Sequence, residues 1–358
     1  MEAKKALQRD WSSLPVEVLN LIAKKLSEIS DFVCFRAVCT AWRFSTPSTD
    51  LLPQFPWILV KHQNKPDLSF YSIPSNKIYS IHASKSLGKW LYGPLEGYML
   101  VNLNYQSLWE FGDPFALTLQ LSLLNPLNNH EILLPAYDFE GLPYRFSCMG
   151  EYVFSYGYAD YQTPKLVFWH LGQDNWCELN LSSDYVNCKH ICLKSMIFNV
   201  ERETGVTKVI DIATGTLVYV IPPIEGYSAV GSEFIVDAFG DILRVFQHDD
   251  PYTGLVYDTW FDVHRLEIME NGSPCWVKVD NIGNQAVFVD SYNCFVLRAH
   301  DFAGIKRNCI YFLTRISHGE EAPLYGVERI DIMTGAREHL PCPLKEPKSW
   351  FVPSLLSL

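Results

Sequence analysis

From about Phe55 onward this 358-residue chain offers no long apolar stripe of helical period. It becomes a series of short runs rich in Val, Ile, Leu, Tyr and Phe, each closed off by turn residues. Examples are PWILV, ALTLQLSLL, KLVFWHL, KVIDIA, TLVYVI, EFIVDA, DILRVF, QAVFVD and CIYFL. Short β-rich runs separated by two to four residues of the Gly, Asn, Asp or Pro type are the signature of consecutive hairpins. FIVDAFGDILRVF is the clearest of them.

A faint repeat runs through the same region. IDIATG, from Ile210 to Gly215, recurs as IDIMTG, from Ile330 to Gly335, and each leads on to a proline segment. LLNPLNNHEILLP, from Leu123 to Pro135, has the same outline of strand, polar turn, strand and proline. The steps from Asn125 to Asp211 and from Asp211 to Asp331 are close to two and three multiples of ~40–45 residues, the length of a four-stranded propeller blade. So many short hairpins at that spacing favour a β-propeller over a sandwich, with six or seven blades.

The N-terminal region reads differently. Residues 11–46 read as three short helices. Pro15 suits a first helical turn, and Glu17 sits near the positive end of the helix dipole. Ser30 is placed to cap a second helix. Ala37 to Phe44 forms the third, and STPSTDLLPQFP reads as a connector. In the first helix Val16, Val18, Leu19, Leu21, Ile22 and Leu26 cover more than one face, whereas a surface helix needs one stripe. The chain is therefore expected to be an α+β multidomain protein: a small three-helix module followed by an all-β propeller-like domain. The divisions are a flexible 1–10, a helical 11–50 and a propeller-like 51–358.

Hydrophobic residues make up 48% of the chain and charged residues 19%, which supports a buried core. The net charge is −11, and the first 50 residues are close to neutral, so the acidic excess belongs to the β-rich body. Such a body is a poor partner for phosphate backbones, and no nucleic acid is expected. No apolar run approaches the ~18 residues of a membrane span, and MEAKKALQR has no signal-peptide core. The ten cysteines show no CxxC pair and read as reduced, mostly buried thiols of a nuclear or cytoplasmic protein.

WSSLPVEVLNLIAKKLSEISDFVCFRAVCTAWR resembles an F-box. The matching elements are Leu14-Pro15, the apolar helix through Leu19, Ile22 and Leu26, then Phe35-Arg36-Ala37-Val38-Cys39 and Trp42-Arg43. Ala41 departs from relatives that carry a small polar residue there. The remainder resembles the plant F-box proteins with a propeller-like, kelch-like C-terminal domain (domain of unknown function 295). The stretches carrying this are LLNPLNNHEILLP, DAFGDILRV, WVKVDNIGNQAVFVD, NCIYFL and WFVPSL.

The resemblance implies a non-catalytic substrate receptor of a Skp–cullin–F-box ubiquitin ligase. Its F-box would bind the Skp-type adaptor and, through it, cullin. Its propeller would hold an unidentified target protein. By matching position, Leu14, Pro15, Leu19, Ile22, Leu26, Val38, Cys39 and Trp42 contribute to the adaptor contact or to the module's own core. An adaptor on one side and a core on the other would account for two apolar faces.

Chemistry-bearing motifs are sparse. Cys188, His190 and Cys192 share a strand face, but a straight strand cannot bring them to one zinc ion, so no metal and no cofactor is expected. His248 to Gly254 reads as a turn, since a calcium loop needs more oxygen ligands. No nucleophile elbow, P-loop or dinucleotide fingerprint is present. Tyr152, Phe154, Tyr156 and Tyr158 alternate on one strand face. Inter-blade packing accounts for them, and the competing expectation is a target-binding surface at Tyr156 and Tyr158. The alternatives to the receptor are a propeller enzyme or ligand binder with a helical cap, and an F-box protein acting outside ubiquitin transfer.

Overall fold

The computed structural model describes residues 11–355 apart from 62–66, 84–89, 96, 104–115, 141, 150–151, 159–163, 181–187, 194, 229–230, 249–258, 292, 317–323 and 343–348. The expected flexible segment 1–10 lies outside the described residues.

Three helices come first: α1 (Val16–Ala23), α2 (Ile29–Ala37) and α3 (Thr40–Ser45). Pro15 stands just before α1 rather than in its first turn, and its carbonyl accepts the Val18 and Leu19 amides at 3.1 Å. Ser30 lies inside α2 instead of capping it. The cap comes from far along the chain, because Gln54 Oε1 accepts the Ile29 amide at 3.0 Å. The third helix starts later than expected. Cys39 is extended at φ −160° and interrupts the path between α2 and α3.

A six-bladed propeller follows. The first blade holds β1 (Trp57–Lys61), β2 (Asp67–Ser72) and β3 (Lys77–His82), and its fourth strand is the last of the chain, β27 (Ser349–Phe351), paired antiparallel with β1. The second holds β4 (Trp90–Leu95), β5 (Tyr98–Asn102), β7 (Leu121–Leu124) and β8 (Glu131–Leu133). A side ribbon of β6 (Ala116–Leu119) and β9 (Tyr137–Glu140) flanks it in the chain.

The third blade is β10 (Leu142–Met149), β11 (Tyr152–Tyr158), β12 (Pro164–His170) and β13 (Cys177–Asn180). The fourth is β14 (Cys188–Leu193), β15 (Met196–Glu201), β16 (Thr207–Asp211) and β17 (Leu217–Ile221). The fifth is β18 (Ser232–Ala238), β19 (Asp241–His248), β20 (Trp260–Ile268) and β21 (Pro274–Lys278). In each of these three blades the strands follow one another in chain order.

The sixth blade departs from the meander. Its order is β23 (Cys294–Arg298), β22 (Gln285–Val289), β24 (Cys309–Ile316), β25 (Leu324–Asp331) and β26 (Arg337–Leu340), and β22 runs parallel to β24. The step from Asp211 to Asp331 is expected to span three blades and spans two, because this extra strand and the link from His248 to Trp260 both lengthen the path.

The repeat itself is structural. Asp211 Oδ1 accepts the Thr214 amide at 2.8 Å and its hydroxyl at 2.9 Å, and Asp331 Oδ1 accepts the Thr334 amide at 2.9 Å and hydroxyl at 3.0 Å. Gly215 and Gly335 follow at φ 66° and 68°, the left-handed region that side chains avoid. Backbone and hydroxyl donors from these threonines hold both carboxyls below their ordinary range. Asn125 starts the matching turn of the second blade, accepting the Leu127 amide at 2.9 Å. All three turns join the last two strands of a blade.

The inner strands approach one another around the ring: β27 beside β4, β4 beside β10, β14 beside β18 and β18 beside β23. Six buried apolar clusters fill the six gaps between blades. Trp350 and Phe288 meet edge-on at 5.1 Å where the last blade joins the first.

Candidate functional site: the helical module and its seat on the propeller

The inward side of the helical module is small. Leu19 and Ala23, four residues apart on α1, are buried, as are Ile29 and Phe32 on α2. Phe35 and Trp42 rest against each other at 4.5 Å, and Trp42 Nε1 donates to the Trp11 carbonyl at 3.1 Å. Arg36 lies over the Phe32 ring and donates to Ser48 Oγ at 3.0 Å, tying α2 to the connector.

The outward side is apolar on all three helices. Leu21 is 62% exposed and Phe44 86%, and Val16, Val18, Ile22, Val33 and Val38 are also exposed. Isolated exposed apolar side chains are ordinary, but this density over three short helices is more than an ordinary surface carries.

The module is seated on the first blade. Ile29 enters the cluster of Trp57, Leu59, Phe70 and Met99 between the first two blades. Gln54 is buried and serves both sides: it accepts from Ile29, and its Nε2 donates to the Ser27 and Leu52 carbonyls at 3.0 and 2.7 Å. The Tyr79 hydroxyl donates to Glu28 at 2.9 Å, while its ring stacks on Trp57 at 4.6 Å.

The expected adaptor residues divide along these lines. Ile22, Pro15 and Val38 face outward. Leu14, Leu26, Cys39 and Trp42 are half-buried. Leu19, at 1% exposure, belongs to the module's interior. The most exposed apolar residues, Leu21 and Phe44, lie outside the expected adaptor set. Leu21 was visible in the surplus of apolar residues on the first helix, but no periodicity separates its role from that of Leu19.

On the propeller, Tyr156 is 7% exposed and lies among Phe154, Leu166, Cys192 and Ile197 between the third and fourth blades. This is the packing role, and it corrects the expectation of a target-binding surface at that residue. The Tyr158 side chain lies outside the described residues. So do the side chains of Cys188 and His190, while Cys192 is buried in the same cluster. The expected turn after His248 also falls outside them.

The ring topology and the N-terminal helices prompt comparison with known families. Residues 70–343 match the KIB1-4 beta-propeller family. The chain belongs to the KIB1-4 beta-propeller family. Relatives of this KIB1-4 protein named as F-box proteins occur in Arabidopsis thaliana. One is 30% identical over 91 residues, 23% of this chain and 24% of the relative. Another is 41% identical over 61 residues, 16% of this chain and 17% of the relative. F-box protein SKIP23 is 43% identical over 44 residues, 12% of this chain and 11% of its own length. The matches thus span a quarter or less of each relative. Among solved structures, TolB from Acinetobacter baumannii gives a TM-score of 0.43 at 9% identity, covering 83% of this chain and 66% of that one. That likeness is too loose to add to the topology described above.

Proposed function

We propose that this KIB1-4 protein is the substrate-recognition subunit of a Skp–cullin–F-box ubiquitin ligase. The helical unit, residues 11–50, is the F-box and binds a Skp-type adaptor, which brings cullin. The propeller, 51–358, holds a target protein, and we place it with the kelch-like plant propellers of domain of unknown function 295. The assembly acts in the nucleus or cytoplasm.

The observation that carries this reading is the outward apolar surface of the module, with Leu21 and Phe44 at its most exposed points. It is what an adaptor would cover, and relatives of this chain are named as F-box proteins. The chain does no bond chemistry in this role. Tethering a target near a ubiquitin-charged enzyme raises their effective concentration. The seat on the first blade supports the same reading, since a fixed module fixes the direction in which a held target points.

The test is a pull-down of purified Skp-type adaptor by the full-length chain, beside the double variant Leu14→Ala, Pro15→Ala. Thermal melting checks the fold of each. Binding by the wild type and loss in the folded variant are expected. A well-folded wild type that binds no adaptor overturns the proposal and leaves the helices as a structural cap.

A further inference from the structure

The outermost strand of a blade exposes a row of unpaired backbone groups, and proteins usually blunt such edges with charge. Five of the six blades do so. Lys77 lies on β3, Glu131 on β8, Glu178 on β13, Lys278 on β21, and Arg337 with Glu338 on β26. The fourth blade does not. Its outer strand β17 reads Leu217-Val218-Tyr219-Val220-Ile221, with no charge. The first four are exposed, Leu217 at 52% and Val220 at 50%. It pairs with β16 on one side, and among the described residues no strand pairs its other side.

We propose that β17 is a self-association edge, pairing antiparallel with β17 of a second copy of this chain. Two features point to a second copy. The strand is near-palindromic about Tyr219. A two-fold axis there sets Tyr219 against Tyr219, Val218 against Val220 and Leu217 against Ile221. Aromatic and β-branched cross-strand pairs of this kind are the stabilising unit of a sheet. The local charge also permits it. The chain carries −11 overall, yet the stretch from Ile212 to Ile224 holds no charged side chain. Two acidic bodies therefore meet at an uncharged stretch.

One protective device is present: Val218 is the extra residue of a bulge against β16. It bends the strand locally. Pro222 and Pro223 then end it, so the joint is limited to these five residues.

The inference does not depend on adaptor binding, and its test uses the full chain alone. Sedimentation equilibrium over a range of concentrations is expected to show a dimer. Val220→Lys halves the mass while the circular dichroism spectrum stays that of the wild type. Combining Val218→Lys with Val220→Glu in one chain restores the dimer, because the axis sets each new lysine against a glutamate of the other copy. Hydrogen exchange checks the site without any substitution: those amides of Leu217 to Ile221 that point away from β16 slow as the wild-type concentration rises. A monomeric wild type, a dimer that survives Val220→Lys, or failure of the paired substitutions to restore it overturns the proposal.

Discussion

Tyr79 and Glu28 are joined across the boundary between propeller and helices, hydroxyl to carboxylate at 2.9 Å. Tyr79 sits on the outer strand of the first blade and Glu28 at the start of α2, so this bond and the Gln54 bonds fix one body on the other. Gln54→Ala leaves the Ile29 amide and the Ser27 carbonyl without that partner, at about 1–3 kcal/mol, while Tyr79→Phe keeps the ring stack and costs about 1 kcal/mol. Hydrogen exchange is expected to rise across α2 in both variants, more in Gln54→Ala, with the blades beyond the first unchanged.

Leu21 and Leu19 are two residues apart on α1 and answer opposite questions. Leu21→Asp, at an exposed position, is expected to change stability by less than ~0.5 kcal/mol. It should weaken adaptor binding by at least ~2 kcal/mol, roughly thirtyfold, as a charge placed in an apolar contact. Leu19→Ala removes core volume and is expected to destabilise by about 2–5 kcal/mol. Calorimetric titration with the adaptor, beside melting curves, separates the two.

The hairpin turns were legible because their chemistry is local: Asp211 and Thr214, or Asp331 and Thr334, lie within one turn. The blade scale failed at β22 and β23, where a parallel pairing breaks the meander that turn residues announce. The α2 cap is hidden from the sequence for a related reason. Ser30 has the local chemistry of a cap, but Gln54 reaches the helix end through the tertiary fold. The surplus of apolar residues on α1 was plain in the sequence. Which of them turn inward depends on how α1 meets α3, and no pattern within eight residues decides it. The aromatic alternation around Tyr156 was legible as a shared face, and only the neighbouring blade tells whether that face is open or covered.

His264 supplies a pH dependence of stability. Burial drives its pKa down to about 4, and Lys278, Arg244 and His248 act in the same direction while Asp262 opposes them. In the unfolded chain it titrates near its ordinary value of 6.5. The unfolded state therefore takes up a proton that the folded state refuses. Its stabilising contribution is complete above about pH 6.5 and shrinks as the pH falls toward 4, by at most about 3 kcal/mol. The carboxyls of Asp211 and Asp331, held below 3.8, act only at still lower pH. Melting temperatures between pH 7 and pH 5 are expected to fall in the wild type and to fall less in His264→Gln.

The ring closes on the last strand, so its stability rests on residues far apart in sequence. Asp290 accepts the Ser349 hydroxyl at 2.6 Å and the Trp350 amide at 3.1 Å, and Trp350 Nε1 donates to the Val289 carbonyl at 2.9 Å. The Trp350 indole is fully buried against Phe288 and belongs to the cluster that joins the sixth blade to the first. Trp350→Ala leaves that joint hollow and its amide bond weakly held, at about 3–5 kcal/mol. Trp350→Phe keeps most of the volume and gives up the indole bond, at about 1–3 kcal/mol. Denaturant melts followed by fluorescence and by circular dichroism are expected to order the variants in that sequence. If the closing strand contributes nothing to the ring, the Trp350→Ala midpoint coincides with that of the wild type.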